Sequence, residues 1–298
     1  MLRSWISSVL AILLSITISA CTTATNQQPQ TQVTNAPELA QFTAKRVVTL
    51  SSLTTDIVYQ LDPTKLVGIT GSTLFKNDPN FQNLPRVSEG QTPPNLEKIV
   101  ALKPDLVIGA AGFSNQVTQR LEQLGIRTLL TEVNSWESLE QVTKKLAQLI
   151  DVNPQPLLDR YQSFLPEQLN QRPSTLLLVS IQPILSPNKN SWAGDLLEKF
   201  QAKNLAAEIQ GKSPIAGYVT LSAEKVIEAN PEVILVVSSP GSSPTSVLDA
   251  FKKESFWQKL QATKNNRVYV FNYYGLVNPG SIDSIKQACR QLKRDLFN

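Results

Sequence analysis

The feature that most restricts the fold of this chain is an internal repeat. Residues 95–108 read NLEKIVALKPDLVI and residues 222–235 read SAEKVIEANPEVIL. At one constant offset Glu97 aligns with Glu224, Lys98 with Lys225, Pro104 with Pro231 and Asp105 with Glu232. Asn95 and Ser222 are of the type that caps a helix by accepting from free first-turn N–H groups. A short helix follows, with its apolar residues at i, i+3 and i+4: Leu96, Ile99 and Val100 in one copy, Ala223, Val226 and Ile227 in the other. Proline ends the helix, because the residue before it cannot easily remain helical. An apolar run then reads as a buried strand. The expectation is two related α/β lobes with parallel sheets in one chain, and a cleft between them.

Composition narrows the chemistry. The 298 residues are 41% apolar and 17% charged, with a formal net charge of +4 and no histidine. His-based triads and His/Cys zinc sites are excluded. Two cysteines and one methionine leave little for a soft metal. The small net charge and the lack of any Lys/Arg run argue against nucleic acid.

Arg3 and the apolar segment 6–18 predict an export signal over residues 1–20, too short to span a bilayer. Ile18-Ser19-Ala20-Cys21 has the form of a bacterial lipobox, which makes Cys21 the lipidated first residue of an exported, periplasmic, membrane-anchored protein. No other covalent cofactor is expected. Residues 21–44 are rich in Thr, Gln, Asn and Pro, and read as a disordered tether. Cys289, left without a partner, is expected to be a buried small apolar residue.

From residue 45 onward strands alternate with helices. The spacing divides the chain into a lobe over 45–150, a helical connector over 151–173 and a second lobe over 174–298. A connector that is one long helix predicts little relative motion of the lobes. Ligands of open parallel sheets lie beyond the carboxyl ends of the strands. In the first lobe those ends present Ser52, Thr73 and Phe113, with Arg86 in the long proline-containing loop that follows. In the second they present Trp192, Tyr218, Ser239, Tyr273 and Tyr274. An aromatic lining with a few polar groups suits a large amphipathic ligand. Arg86 could pair with an anionic one, and the adjacent Tyr273 and Tyr274 are weak candidates for ferric iron through their phenolates. Glu97 and Glu224, one per lobe and off the apolar faces, form a symmetric pair of charges for a two-fold partner. With no histidine base and no Gly-rich phosphate loop after any strand, an enzyme is not expected.

These residues carry a resemblance. The stretches RVVTLSS (46–52), PNLEKIVALKPDLVI (94–108), LEQLGI (121–126), VTLSAEKV (219–226) and NRVYVF (266–271) are similar to the periplasmic substrate-binding proteins of ABC importers for ferric siderophores and vitamin B12, the class III or helical-backbone type. The resemblance implies two Rossmann-like lobes joined by a single long helix, acting as a monomer. It implies a metal chelate held between the lobes and delivered to a permease dimer with its ATPase, onto whose arginines Glu97 and Glu224 dock. The zinc and manganese branch of the fold uses histidines, so a chelate is implied in place of a bare ion. Iron(III) in a siderophore comes first, cobalamin second and haem after them.

Overall fold

The computed structural model describes residues 42–297 apart from 90–91, 168–170, 209–212, 214 and 254. The expected signal, Cys21 and nearly all of the tether lie outside the described residues. The first lobe comprises β1 (Val47–Thr49), α1 (Ser52–Leu61), β2 (Leu66–Gly68), α2 (Leu96–Ala101), β3 (Leu106–Ala110), α3 (Asn115–Gln123), β4 (Thr128–Thr131) and α4 (Trp136–Ile150). After α5 (Gln155–Gln162) the second lobe comprises β5 (Ser174–Leu178), β6 (Ser180–Ile181), β7 (Ile184–Pro187), α6 (Trp192–Lys199), β8 (Lys203–Asn204), β9 (Tyr218–Leu221), α7 (Ala223–Ala229), β10 (Val233–Ser238), α8 (Pro244–Lys253), β11 (Val268–Asn272) and α9 (Ile282–Phe297).

Each lobe has a four-stranded parallel sheet, and the two share one topology. The order is β2-β1-β3-β4 in the first lobe and β8-β5-β10-β11 in the second, so the lobe's second strand lies outside its first in both. The central strands are buried on both faces, which is why they read as unbroken apolar runs. A separate antiparallel sheet, β6-β7-β9, belongs to the second lobe. Its strands are short and their alternation weak, and the sequence reading placed no sheet there.

The repeat is repeated in its atoms. Asn95 Oδ1 accepts from Lys98 N at 2.9 Å, and Ser222 Oγ accepts from Lys225 N at 3.3 Å. Each helix ends in a left-handed residue before its proline, Lys103 with φ 48° and Asn230 with φ 39°. The acid after each proline then clamps the start of the neighbouring strand. Asp105 accepts from the backbone N–H groups of Lys45 and Arg46 at 2.8 and 3.0 Å. Glu232 accepts from Ser174 N at 2.6 Å and from its hydroxyl at 3.0 Å. The Ser174 N–H holds the Glu232 carboxyl below its ordinary pKa, so its contribution to stability is present above that ordinary value and is lost as pH falls through the lowered one. Asp105→Ala is expected to cost about 1 kcal/mol, the scale of a net hydrogen bond, as read by urea unfolding. Glu232→Gln should flatten the acid limb of the stability profile.

The burial of the repeat helices corrects the sequence reading in one respect. Ile99 and Val226 point inward as expected, but Val100 and Ile227 are 40% and 41% exposed. Each helix is too short to bury residues over two full turns against its sheet.

The connector is also shorter than the spacing over 151–173 suggested. Its helix covers Gln155–Gln162, with prolines in its opening turn. Pro166, a few residues on, is incompatible with continued helix at Leu165. The two lobes are also packed directly against each other. One apolar core runs through both, joining Val47, Ile57 and Ile108 of the first lobe to Leu177, Val233 and Phe271 of the second, with Tyr161 of the connector between. Two carboxylates cap helices across the junction. Asp195 on α6 accepts from Trp136 N, at the start of α4, at 2.7 Å. Asp56 on α1 accepts from Ile282 N, at the start of α9, at 2.7 Å. Arg160 on α5 donates to Gln60 and to Asp283, at 3.0 and 2.9 Å. Burial raises the pKa of Asp56, and its bond from Ile282 N opposes that rise. Cys289 is buried on α9 as expected, its thiol pushed up to about 12 by burial.

Candidate functional site

In a sheet of order 2-1-3-4 the chain reverses its direction of travel between the first and third strands, and the crevice outside their carboxyl ends is the usual ligand position. In the first lobe that point lies between Ser51-Ser52 and the turn after β3. The turn is built by short polar contacts. Ser114 Oγ accepts from Ala110 N at 3.1 Å, Asn115 Oδ1 accepts from Gly112 N at 2.8 Å, and Gly112 takes φ 81°. The turn leaves Phe113 92% exposed. The ring therefore stands in water at the switch point of this lobe. Ser52 is half-buried in the first turn of α1, beside the capping Ser51.

The corresponding point of the second lobe lies at Ser239, exposed after β10, where Ser239 O accepts from Ser242 N at 2.9 Å. Beyond β11 the chain makes a tight loop. Gly275, at φ 93°, donates to Asn278 O at 2.7 Å. The rings of Tyr273 and Tyr274 meet edge to face at 5.4 Å, and Tyr274 packs on Gly280, where any Cβ would come within 2.7 Å of its ring. Tyr218 opens β9, and its hydroxyl is pushed up to about 12 by burial and then by the neighbouring Tyr273. The structure thus gathers Tyr218, Tyr273 and Tyr274, all half-buried. Burial thus disfavours the charged phenolate of Tyr218. Among the described residues no group of three His, Cys, Asp or Glu side chains is placed to hold a metal ion.

Three expected lining residues are placed differently. Trp192 is 3% exposed, in the first turn of α6, because Ser191 caps that helix directly before it. Its indole N–H donates to Gly275 O at 2.9 Å, and its ring stacks on Trp136 at 6.0 Å and 15°. It is a packing residue of the lobe junction. Arg86 spends its guanidinium on the carbonyls of Ser72 and Phe75, at 3.5 and 3.1 Å, and holds the turn after β2. Thr73 is exposed within that turn, at the sheet's outer edge and away from the switch point. Glu97 and Glu224 are exposed, each in the first turn of its repeat helix. The Glu224 carboxyl is held below its ordinary pKa by its own backbone N–H and the Ser222 hydroxyl.

Sequence reasoning missed Trp136, Asp56 and Asp195. A signal for the first was present: Asn-Ser-Trp occurs twice, at 134–136 and 190–192. In both copies the serine caps a helix and the tryptophan opens it, and the two indoles stack on each other across the junction. The junction therefore joins the segment after β4 to the loop after β11, so carboxyl-end elements of both lobes meet beside the tyrosines.

Two lobes of one topology, a shared core beneath and carboxyl-end loops meeting at aromatic rings define a two-lobed solute-binding protein. The chain belongs to the periplasmic binding protein family, whose model matches residues 47–273. It is 28% identical over 244 residues to the uncharacterised ABC transporter substrate-binding lipoprotein YvrC of Bacillus subtilis (strain 168), spanning 76% of this chain and 72% of that one. It is 27% identical over 266 residues to the vitamin B12-binding protein of Salmonella paratyphi A, spanning 85% of this chain and 92% of the relative. Among solved structures, the periplasmic heme-binding protein RhuT of Roseiflexus sp. RS-1 shares the fold at a TM-score of 0.66 and 20% identity, over 85% of this chain and 98% of that one. The chain is thus a substrate-binding protein of the ABC importer class and not an enzyme.

Proposed function

We infer that this protein captures a large metal chelate at the carboxyl ends of its two sheets and delivers it to the permease and ATPase of an importer. The observation that carries this reading is the exposed Phe113 at the switch point of one lobe, together with the tyrosine cluster at the carboxyl edge of the other. A corrinoid of the vitamin B12 type fits best. It is a broad, amphipathic ligand that needs apolar rings and few ionic partners, and the one arginine expected in the site is occupied by carbonyls. The vitamin B12-binding relatives support the same choice. A ferric siderophore is the second reading, favoured by the edge-to-face pair of phenols. Haem, with no histidine to ligate it, comes third.

The remaining assignments rest on the sequence and on the family resemblance it carries. Cys21 carries the lipid anchor outside the cytoplasmic membrane, in keeping with the lipoprotein designation of the Bacillus relative. Glu97 and Glu224 meet cationic residues of the permease, one on each subunit.

A melting-temperature screen of the purified protein against cyanocobalamin, ferric hydroxamates, ferric catecholates and haemin tests the ligand. A ligand at one hundred times its Kd adds about 2.7 kcal/mol of stability, a rise of several degrees. A rise with cyanocobalamin is the expected result. A rise only with a ferric chelate promotes the second reading, and no rise with any member overturns the capture role.

A further inference from the structure

Beside each glutamate lies an apolar residue that the fold leaves in water. Along Leu96–Ala101 and along the first six residues of Ala223–Ala229 the burial pattern is identical, position by position. The first residue is half-buried, only the fourth is buried, and the rest are exposed. The fifth residue is Val100 in one copy and Ile227 in the other, 40% and 41% exposed. An ordinary amphipathic helix would turn both inward, as the i, i+3, i+4 spacing predicted. Single exposed aliphatics are common. Two at the same register of a repeat, each three residues beyond a glutamate, are a matched pair.

Helical geometry fixes their relation to the carboxylates. At about 100° per residue, positions i and i+3 stand about 60° apart on the helix, so Glu97 with Val100 and Glu224 with Ile227 share a face. Lys98 and Lys225 are turned about 160° from the aliphatic residue, so the basic neighbours do not interrupt the pair. Ile99 and Val226, 0% and 2% exposed, anchor each helix to its lobe and fix which face looks outward.

We propose that Val100 and Ile227 complete the two docking patches, each patch being an aliphatic knob beside a carboxylate. This rests on the docking role of Glu97 and Glu224 given above and adds the chemistry of the partner surface. The occupant is the permease pair of the importer. Its two equivalent sockets each combine an apolar depression for the knob with a guanidinium or ammonium at the rim. The cation answers the carboxylate, and the doubling of the socket answers the repeat. The aliphatic contact makes part of the association insensitive to salt, which a pair of exposed ion pairs alone would not be.

The test uses the full lipidated protein and its permease–ATPase complex in proteoliposomes, reading the Kd of association and the stimulation of ATP hydrolysis at low and high salt. Val100→Ser with Ile227→Ser is expected to weaken association at least about tenfold at both salt concentrations. Melting temperature and chelate affinity stay unchanged. Glu97→Gln with Glu224→Gln is expected to weaken association mainly at low salt. If the serine variant associates like wild type while the glutamine variant fails, the inference is overturned and the docking role survives. If both associate like wild type, the docking role falls with it. A drop in melting temperature of the serine variant beyond a few degrees would make the two residues structural and would also overturn the proposal.

Discussion

Replacing Trp192 with alanine is expected to lower the stability of the folded protein by about 3–5 kcal/mol, the cost of emptying a large buried aromatic site. The indole lies between Trp136 and the loop after β11, and its removal also leaves the carbonyl of Gly275 without its donor. For a chain of this size the loss corresponds to a fall in Tm on the order of 10 °C. Trp192→Phe keeps most of the stack and loses the hydrogen bond, and should cost about 1–2 kcal/mol. The sequence alone suggested that Trp192 lines the ligand site, a position from which its loss would weaken binding. The two accounts separate cleanly in one experiment: an unchanged Tm with a large loss of affinity would restore the earlier reading and remove the junction from the account.

Gly275→Ala is the second large effect. A Cβ at this position would lie 2.1 Å from Ser284 O and 2.6 Å from Ser284 C, both backbone atoms of the opening of α9. The residue also needs φ 93°, which alanine adopts only with strain. Neither α9 nor the loop can yield without disturbing Asp56, which caps α9 from the other lobe, or Trp192, which donates to Gly275. The expected cost is at least about 3 kcal/mol, in the range reserved for backbone clashes in packed sites. Gly112→Ala is the matched control. Its φ is 81°, but nothing lies within 4 Å of the added Cβ. It should cost only the left-handed strain, about 1–2 kcal/mol. Urea unfolding of the pair measures the difference, and equal costs would mean that the contact with Ser284 is not tight.

The architecture was legible because the sequence repeats it. Proline, cap and acid recur at fixed spacing, and a parallel sheet buried on both faces leaves an unbroken apolar run. Those signals are local, and they placed the two lobes and most of their strands. The site was legible in part. Phe113, Tyr273 and Tyr274 follow from the rule that strand ends carry ligands, and they lie just beyond the carboxyl ends of β3 and β11, whereas Tyr218 opens β9 of the antiparallel sheet and joins them only as a neighbour of Tyr273. Trp192 obeys the same rule in sequence but not in space, because a serine one residue earlier starts the helix and turns the ring into the junction. Arg86 reads as a free cation only until its carbonyl partners, more than ten residues away, are known. The inward turn expected of Val100 and Ile227 failed for a different reason. A helix of six or seven residues packed through one anchoring residue has no second buried position, whatever its periodicity suggests.

The reciprocal caps give the two lobes a polar connection that periodicity cannot predict. Asp56 and Asp195 sit on helices of opposite lobes, and each serves the first turn of a helix in the other. With a core continuous beneath them, the lobes hold their relation through side chains as much as through the connector.

The central claim is that the ligand sits on the aromatic groups at the carboxyl ends of the sheets, and the most direct test is a tryptophan-fluorescence titration with cyanocobalamin of the wild type and of Phe113→Ala. The ring is 92% exposed, so its removal should leave the fold unchanged. Saturable quenching in the wild type, with affinity about fivefold weaker in the variant at an equal melting temperature, is the result expected from the loss of an aromatic contact of about 1 kcal/mol. Saturation with identical affinity in both proteins would place the ligand elsewhere and contradict the account.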